Sequence, residues 1–247
     1  MRINILILLL SFSYALNAQT LIATTKDPNA IANHNQRKIV RANGSDKFVV
    51  FTDSSENGPV IKGVKYEEGW GEPFILAEGK NPSLGFHYNQ YSLAFEREDS
   101  VRKIYLSVAY DDFEWSDPIC IYDTILDCRN PQITSFYTLS YIQKNIDGTE
   151  SLKEAYYGFK KNKSQTIFNR DTIIDYAIAE NLSLMDDYSL FAIQFDNDSI
   201  ISFWEGSWKN DFNKLYQSTG TFPGATHNYG GYDRILYLNQ SNQIVID

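Results

Sequence analysis

Cysteine is scarce in this chain: Cys120 and Cys128 are the two among 247 residues. That count excludes a scaffold held by several disulfides, and with no CxxC pair it excludes a cysteine zinc site. Histidine is nearly as scarce. His34, His87 and His227 lie far apart in sequence and no HExxH spacing joins any two of them, so neither a metal nor another cofactor is expected. Positive charge is also short, with 22 Lys and Arg against 31 Asp and Glu, a formal net charge of −9. Nucleic acid and anionic lipid both call for a basic surface, so neither is expected as a partner. Beyond the first residues no apolar run is long enough to span a membrane as a helix. No window holds a 3.6-residue apolar period over three turns, which argues against a helical core.

What is present begins with a leader. Arg2 gives a basic start, Ile3 to Leu10 is apolar apart from Asn4, and Ala18 is a small residue suited to cleavage before Gln19. That order is the one an export signal needs. Residues 1–18 are therefore expected to be a secretory signal peptide and 19–247 a single domain, secreted to an extracellular or periplasmic space. No cysteine stands at the cut, so no lipid anchor is expected. Export permits a bridge between Cys120 and Cys128; two free, partly buried thiols are the alternative.

Aromatic residues make up 15% of the chain, which suits strands. They fall in a repeat. Trp70-Gly71-Glu72-Pro73 matches Trp115-Ser116-Asp117-Pro118, and an apolar strand follows each. Asn81-Pro82-Ser83-Leu84 matches Asn130-Pro131-Gln132-Ile133, with Asn181-Leu182-Ser183-Leu184 as a weaker third copy. A Tyr-led strand follows each of these at Tyr91, Tyr137 and Tyr188. Recurrence of several short strands at this spacing is the pattern of propeller blades, because one sheet cannot bury both faces alone. The expected fold is all-β, a propeller of about five four-stranded blades. The fourth blade is expected to open at Leu182–Met185. The last blade has three strands before the chain stops, and Thr20–Thr24 is expected to pair with Gln243–Ile246 as its outer strand, closing the ring.

The phrases Trp115-Ser116-Asp117-Pro118-Ile119 after Asp111-Asp112, and Trp70-Gly71-Glu72-Pro73 after Glu68-Gly69, resemble the sialidase-like propellers with Asp-box (BNR) repeats. The Asp-box itself is degenerate here, since its glycine is absent. The resemblance implies a central funnel where loops entering the innermost strands converge. It also implies, in true sialidases, an arginine cluster, a Tyr–Glu nucleophile and an acid/base Asp. Arg37-Lys38-Ile39-Val40 stands where such enzymes carry Arg-Ile-Pro, without the proline, and no motif fixes a Tyr–Glu pair. No catalytic residue is assigned.

Loops entering innermost strands supply the candidate ligand-binding residues: Arg37, Asn81, His87, Arg129, Glu180 and His227, with Lys80, Asn130 and Asn181 beside them. A guanidinium can hold a carboxylate through two parallel bonds, which favours Arg129; a salt bridge to Asp127 is its structural alternative. The asparagines also suit turns. Asp123, Asp175 and Glu180 are the carboxylates a glycosidase could use, and Trp204 and Trp208 could stack on a sugar. Three functions remain open: a non-catalytic secreted propeller binding a glycan or protein partner at its axis, a sialidase-like glycoside hydrolase, and an envelope scaffold. The first is favoured, acting as a monomer.

Overall fold

The computed structural model describes residues 20–31, 36–42, 46–87, 89–110, 113–121, 125–133, 138–156, 163–170, 172–182, 187–196, 199–206, 209–219, 221–228, 232–238, 241 and 244–246. Within residues 163–165, 170, 179–182, 187–190 and 201–246, Ser241 aside, it describes the backbone alone. The expected leader lies outside the described residues.

The described strands form five antiparallel sheets, each built from consecutive segments of chain. The first holds β1 (Ile39–Arg41), β2 (Lys47–Ser55), β3 (Gly58–Tyr66) and β4 (Phe74–Glu78), paired in that order. The second holds β5 (Lys80–His87), β6 (Gln90–Glu98), β7 (Arg102–Ala109) and β8 (Ile119–Cys120). The third holds β9 (Cys128–Ile133), β10 (Thr138–Lys144), β11 (Glu150–Tyr156) and β12 (Lys163–Arg170). The fourth holds β13 (Ile173–Leu182), β14 (Asp187–Phe195), β15 (Ser199–Gly206) and β16 (Lys209–Thr219). Three strands make the fifth: β17 (Thr221–Asn228), β18 (Tyr232–Leu238) and β19 (Ile244–Ile246).

Period-two alternation explains how the sheets stack. Successive side chains of a strand point to opposite faces. Phe48 and Val50 of β2 meet Leu84, Leu93 and Phe95 of the second sheet. Ala94, between Leu93 and Phe95, faces the other way, onto Ile133, Leu139 and Tyr141 of the third sheet. Ile142 and Leu152 of the third sheet then pack on Ile173, Tyr176, Phe191 and Ile193 of the fourth. The second and third sheets thus bury both faces between neighbours, the arrangement blades require. Of the expected strands, those of the first three sheets fall where the repeat puts them.

The tryptophans of the repeat do equivalent work. Trp115 packs in the layer between the first and second sheets, stacked on Phe48 with ring centroids 5.9 Å apart. Trp70 sits on the corresponding face of the first sheet, with Phe51 and Val64, and meets Tyr66 edge-on at 5.2 Å. No sheet covers that face within this cluster; residues 20–31 do, through Ile22, Ala23 and Ala30.

Two expectations are corrected here. Thr20–Thr24 forms no strand, and β19 is hydrogen-bonded to β18 alone among the described residues. The segment is instead captured by the first sheet. Asp53 Oδ1 accepts from the Lys26 amide at 2.8 Å and from Thr25 Oγ1 at 3.0 Å, and the Thr52 carbonyl also lies 3.0 Å from Thr25 Oγ1. The fourth sheet opens at Ile173 rather than Leu182. Asn181 and Leu182 end its first strand, opposite Tyr188 and Asp187, so the weaker third copy of the Asn phrase marks the wrong end of the strand. The two cysteines are free thiols.

Candidate functional site at the entry end of the inner strands

The first strand of each sheet forms its inner edge, since β1 touches β5, β5 touches β9 and β13 touches β17. The ends where the chain enters these strands share a device. Pairing with the second strand slips at Lys80/Ser83 in β5, at Ile173/Asp175 in β13 and at Thr221/Gly224 in β17, and opposite Ser140/Ile142 in β9. Each slip is a β-bulge near the strand's start. Pro82, Pro131 and Pro223 stand within three of them, where no ladder amide is lost. Asn81 and Asn130 precede two of these prolines with φ of 52°. Asparagine tolerates that left-handed backbone better than most side chains. The repeated Asn-Pro phrase therefore encodes a bulge.

At each described junction, a side-chain oxygen of one sheet holds the amide at the start of the next inner strand. Thr52 Oγ1 accepts from Asn81 N at 3.2 Å, Glu96 Oε1 from Asn130 N at 2.7 Å, and Glu150 Oε2 from Ile173 N at 2.7 Å. Buried backbone donors need such partners.

The axis is tied in the same way. Gln36 Nε2 donates to the carbonyls of Asn81 (3.0 Å) and Pro131 (2.7 Å), so one amide joins the second and third sheets. Lys38 Nζ donates to Gln36 Oε1 at 2.8 Å and to the Pro82 carbonyl at 2.6 Å. Gln132 Nε2 donates to the Tyr176 carbonyl at 2.6 Å. The Tyr176 hydroxyl lies 2.7 Å from both the Asn130 and Ser140 carbonyls and donates to one at a time. Burial lowers the Lys38 amine to about 7, against the opposing pull of Glu96. Burial likewise raises the Glu96 carboxyl above its ordinary range, against the hydrogen bonds from Asn130 and Asn81.

The candidates distribute as follows. Arg37 is exposed beside this network, its carbonyl accepting from Leu84 N at 2.7 Å, and it has no ion pair among the described residues. Asn81 is part of the network. Arg129 is clamped: Nη2 donates to Glu150 at 2.9 and 3.0 Å and to the Ile173 carbonyl at 2.5 Å. Its salt-bridge partner is thus Glu150, while Asp127 pairs with Arg102. His87 is at the opposite end of β5, opposite Gln90 in the hairpin, and burial lowers its pKa. Glu180 of β13 pairs with Ser189 of β14, and His227 of β17 with Asp233 of β18, with only their backbones described. Asp175 accepts from Tyr176 N at 2.8 Å. Trp204 pairs with Leu190 and Asn213 in the fourth sheet, with only its backbone described, and Asp123 and Trp208 lie outside the described residues.

Sequence reasoning missed Gln36 and Lys38, whose partners are main-chain carbonyls of other sheets. It also missed a cleft of about 170 Å³ at the same end, between the first and second sheets. The β2–β3 turn (Ser55, Asn57, Pro59), the crossover Glu78–Gly79–Lys80 and the end of β6 (Arg97, Glu98) line it. Gly79 lets the crossover pass close against β6. At φ +143°, its position leaves no room for a Cβ, which would lie 2.6 Å from the Glu96 carbonyl and from the Phe95 ring.

No protein-family model and no curated protein sequence matches the chain. Solved structures do match, at the level of fold. A Hadza microbial sialidase aligns with TM-score 0.58 and 13% identity, over 86% of this chain and 56% of the sialidase. A polysaccharide lyase, an ulvan lyase bound to a GlcA–Rha3S unit, aligns with TM-score 0.61 and 8% identity, over 90% and 68% of the two chains. Aleuria aurantia lectin, in complex with α-methyl-L-fucoside, aligns with TM-score 0.59 and 12% identity, over 93% and 77%. The chain spans little more than half the length of the sialidase. These neighbours are β-propellers, and the chain has the β-propeller fold.

Proposed function

We propose that this protein is a secreted, non-catalytic propeller of five blades that binds carbohydrate at the entry end of its inner strands. In this reading the five sheets are the blades, and residues 20–31 lie at the seam between the last and the first. The observation that carries the proposal is the use of the charged groups around the described axis. Glu96, Glu150 and Arg129 are spent on holding adjacent inner strands together, through the amides of Asn130 and Ile173 and the carbonyl of Ile173. A sialidase-type mechanism needs such groups turned toward a substrate. Binding asks only for surface groups on a rigid scaffold, and the entry end offers them. Among the fold neighbours, the Aleuria lectin binds a sugar without its name stating any reaction.

A panel of fluorogenic glycosides, sialosides included, tests the non-catalytic half. No turnover above buffer is expected, in a preparation that still retains glycan on an array. Turnover of any glycoside at enzymatic rates would overturn it.

A further inference from the structure

The cleft between the first and second sheets is the described cavity that opens on the entry end, and its chemistry is specific. Its volume, about 170 Å³, is below the roughly 300–1,000 Å³ of sites for drug-sized ligands, so it suits one small unit rather than a chain of them. Two cations, Lys80 and Arg97, line it, and each faces a carboxylate. Lys80 Nζ is 3.4 Å from Glu98 Oε2, and Arg97 Nε is 3.4 Å from Asp99 Oδ1. Charge-assisted bonds are ordinarily about 2.7–2.9 Å long, so both pairs are loose and keep hydrogen-bonding capacity for a third group. The Arg97 guanidinium also lies over the Tyr105 ring, 3.8 Å from its centroid, which fixes its plane without using its donors. Glu78 adds a further exposed carboxylate, and Pro59 adds apolar surface on the opposite wall.

A ligand that fits must both donate to carboxylates and accept from ammonium and guanidinium, and must present some C–H surface. A sugar ring does all three. An anionic sugar fits worse, because both cations of the cleft already face a carboxylate, Glu98 or Asp99, and the whole chain is at −9. We propose that this cleft binds a single neutral pyranose residue, with Lys80 and Arg97 donating to its oxygens and Glu78 and Glu98 accepting from its hydroxyls. The proposal deepens the carbohydrate-binding reading above and rests on it.

The test is calorimetric titration of the mature chain with methyl glycosides of neutral hexoses and 6-deoxyhexoses, and with those of glucuronic and N-acetylneuraminic acid. At least one neutral glycoside is expected to bind, more tightly than either acid. Lys80→Met and Glu98→Gln, both at the surface, are each expected to weaken that binding roughly tenfold or more, since each removes a bond to a charged group. Their thermal unfolding is expected to match the parent's. If a neutral glycoside binds and neither variant weakens it, the cleft is not the site, while the carbohydrate-binding reading stands. Tighter binding of the acids overturns the neutral-ligand assignment. If the glycosides fail to bind and a wider glycan array is also blank, the reading and the proposal fall together.

Discussion

Glu96 shows what the axis costs. It is fully buried, it holds the Asn130 amide, and burial raises its pKa above that of the unfolded chain. Between those two values the native state keeps a proton that the unfolded chain has lost, so its contribution falls as pH rises. Glu96→Gln keeps an oxygen for Asn130 and removes the charge. Denaturant titration is expected to find it at least as stable as the parent at pH 8, with the difference shrinking as pH falls into the carboxylate range. A variant less stable at pH 8 would contradict this. Cys128 is a second case. Burial pushes its thiol up to about 12, so at pH 8 almost none is thiolate. Iodoacetamide is expected to leave it unlabelled in native protein and to label it after unfolding, as read by peptide mass spectrometry. Residue roles were the least legible part of the sequence. The Asn-Pro repeat was visible, but Arg129 finds Glu150 across 21 positions and Gln36 finds Pro131 across 95. A bond to a distant carbonyl leaves no trace in residue type.

At the scale of elements, the bulge and the N-terminal strap make separate predictions. Asn130 has φ of 52°, where a β-branched side chain is strained. Asn130→Val is expected to cost about 1–2 kcal/mol, the penalty of a left-handed backbone, and Asn130→Gly to cost much less. Equal losses in chemical denaturation would show that the backbone geometry is not what the site requires. The strap depends on Asp53, whose carboxyl is held far below its ordinary range by the ion pair with Lys62 at 2.6 Å and by the Lys26 amide. Asp53 stabilises while ionised, so its contribution is present at neutral pH and is lost as pH falls below the ordinary carboxylate pKa. Asp53→Asn is expected to speed proteolytic removal of residues 20–31 at pH 7, whereas the parent resists until acid pH. Strands were well read from the repeat wherever Asn-Pro marked the bulge. In the fourth sheet the bulge falls at Ile174, with neither residue, and Asn181 drew the reading to the far end of the strand. The strap's β-prone sequence fitted a closing strand, yet its hydrogen bonds go to the Asp53 side chain and the Thr52 backbone of β2.

For the whole molecule, the repeat carried the propeller architecture because alternation and period are properties of sequence. Ligand chemistry depends on which charges are consumed in holding the blades together and which stay exposed. Around the described axis Glu96, Glu150 and Arg129 are consumed and Arg37 stays exposed; at the cleft rim the charges are loosely paired. The central claim is therefore recognition of neutral sugars by a rigid propeller that does not cleave them. A glycan array printed with neutral and sialylated or uronate-bearing glycans, probed with the mature chain, tests it most directly. The account predicts retention on neutral glycans, with every printed glycan intact by mass spectrometry afterwards. Retention confined to acidic glycans, or cleavage of any printed glycan, would contradict it.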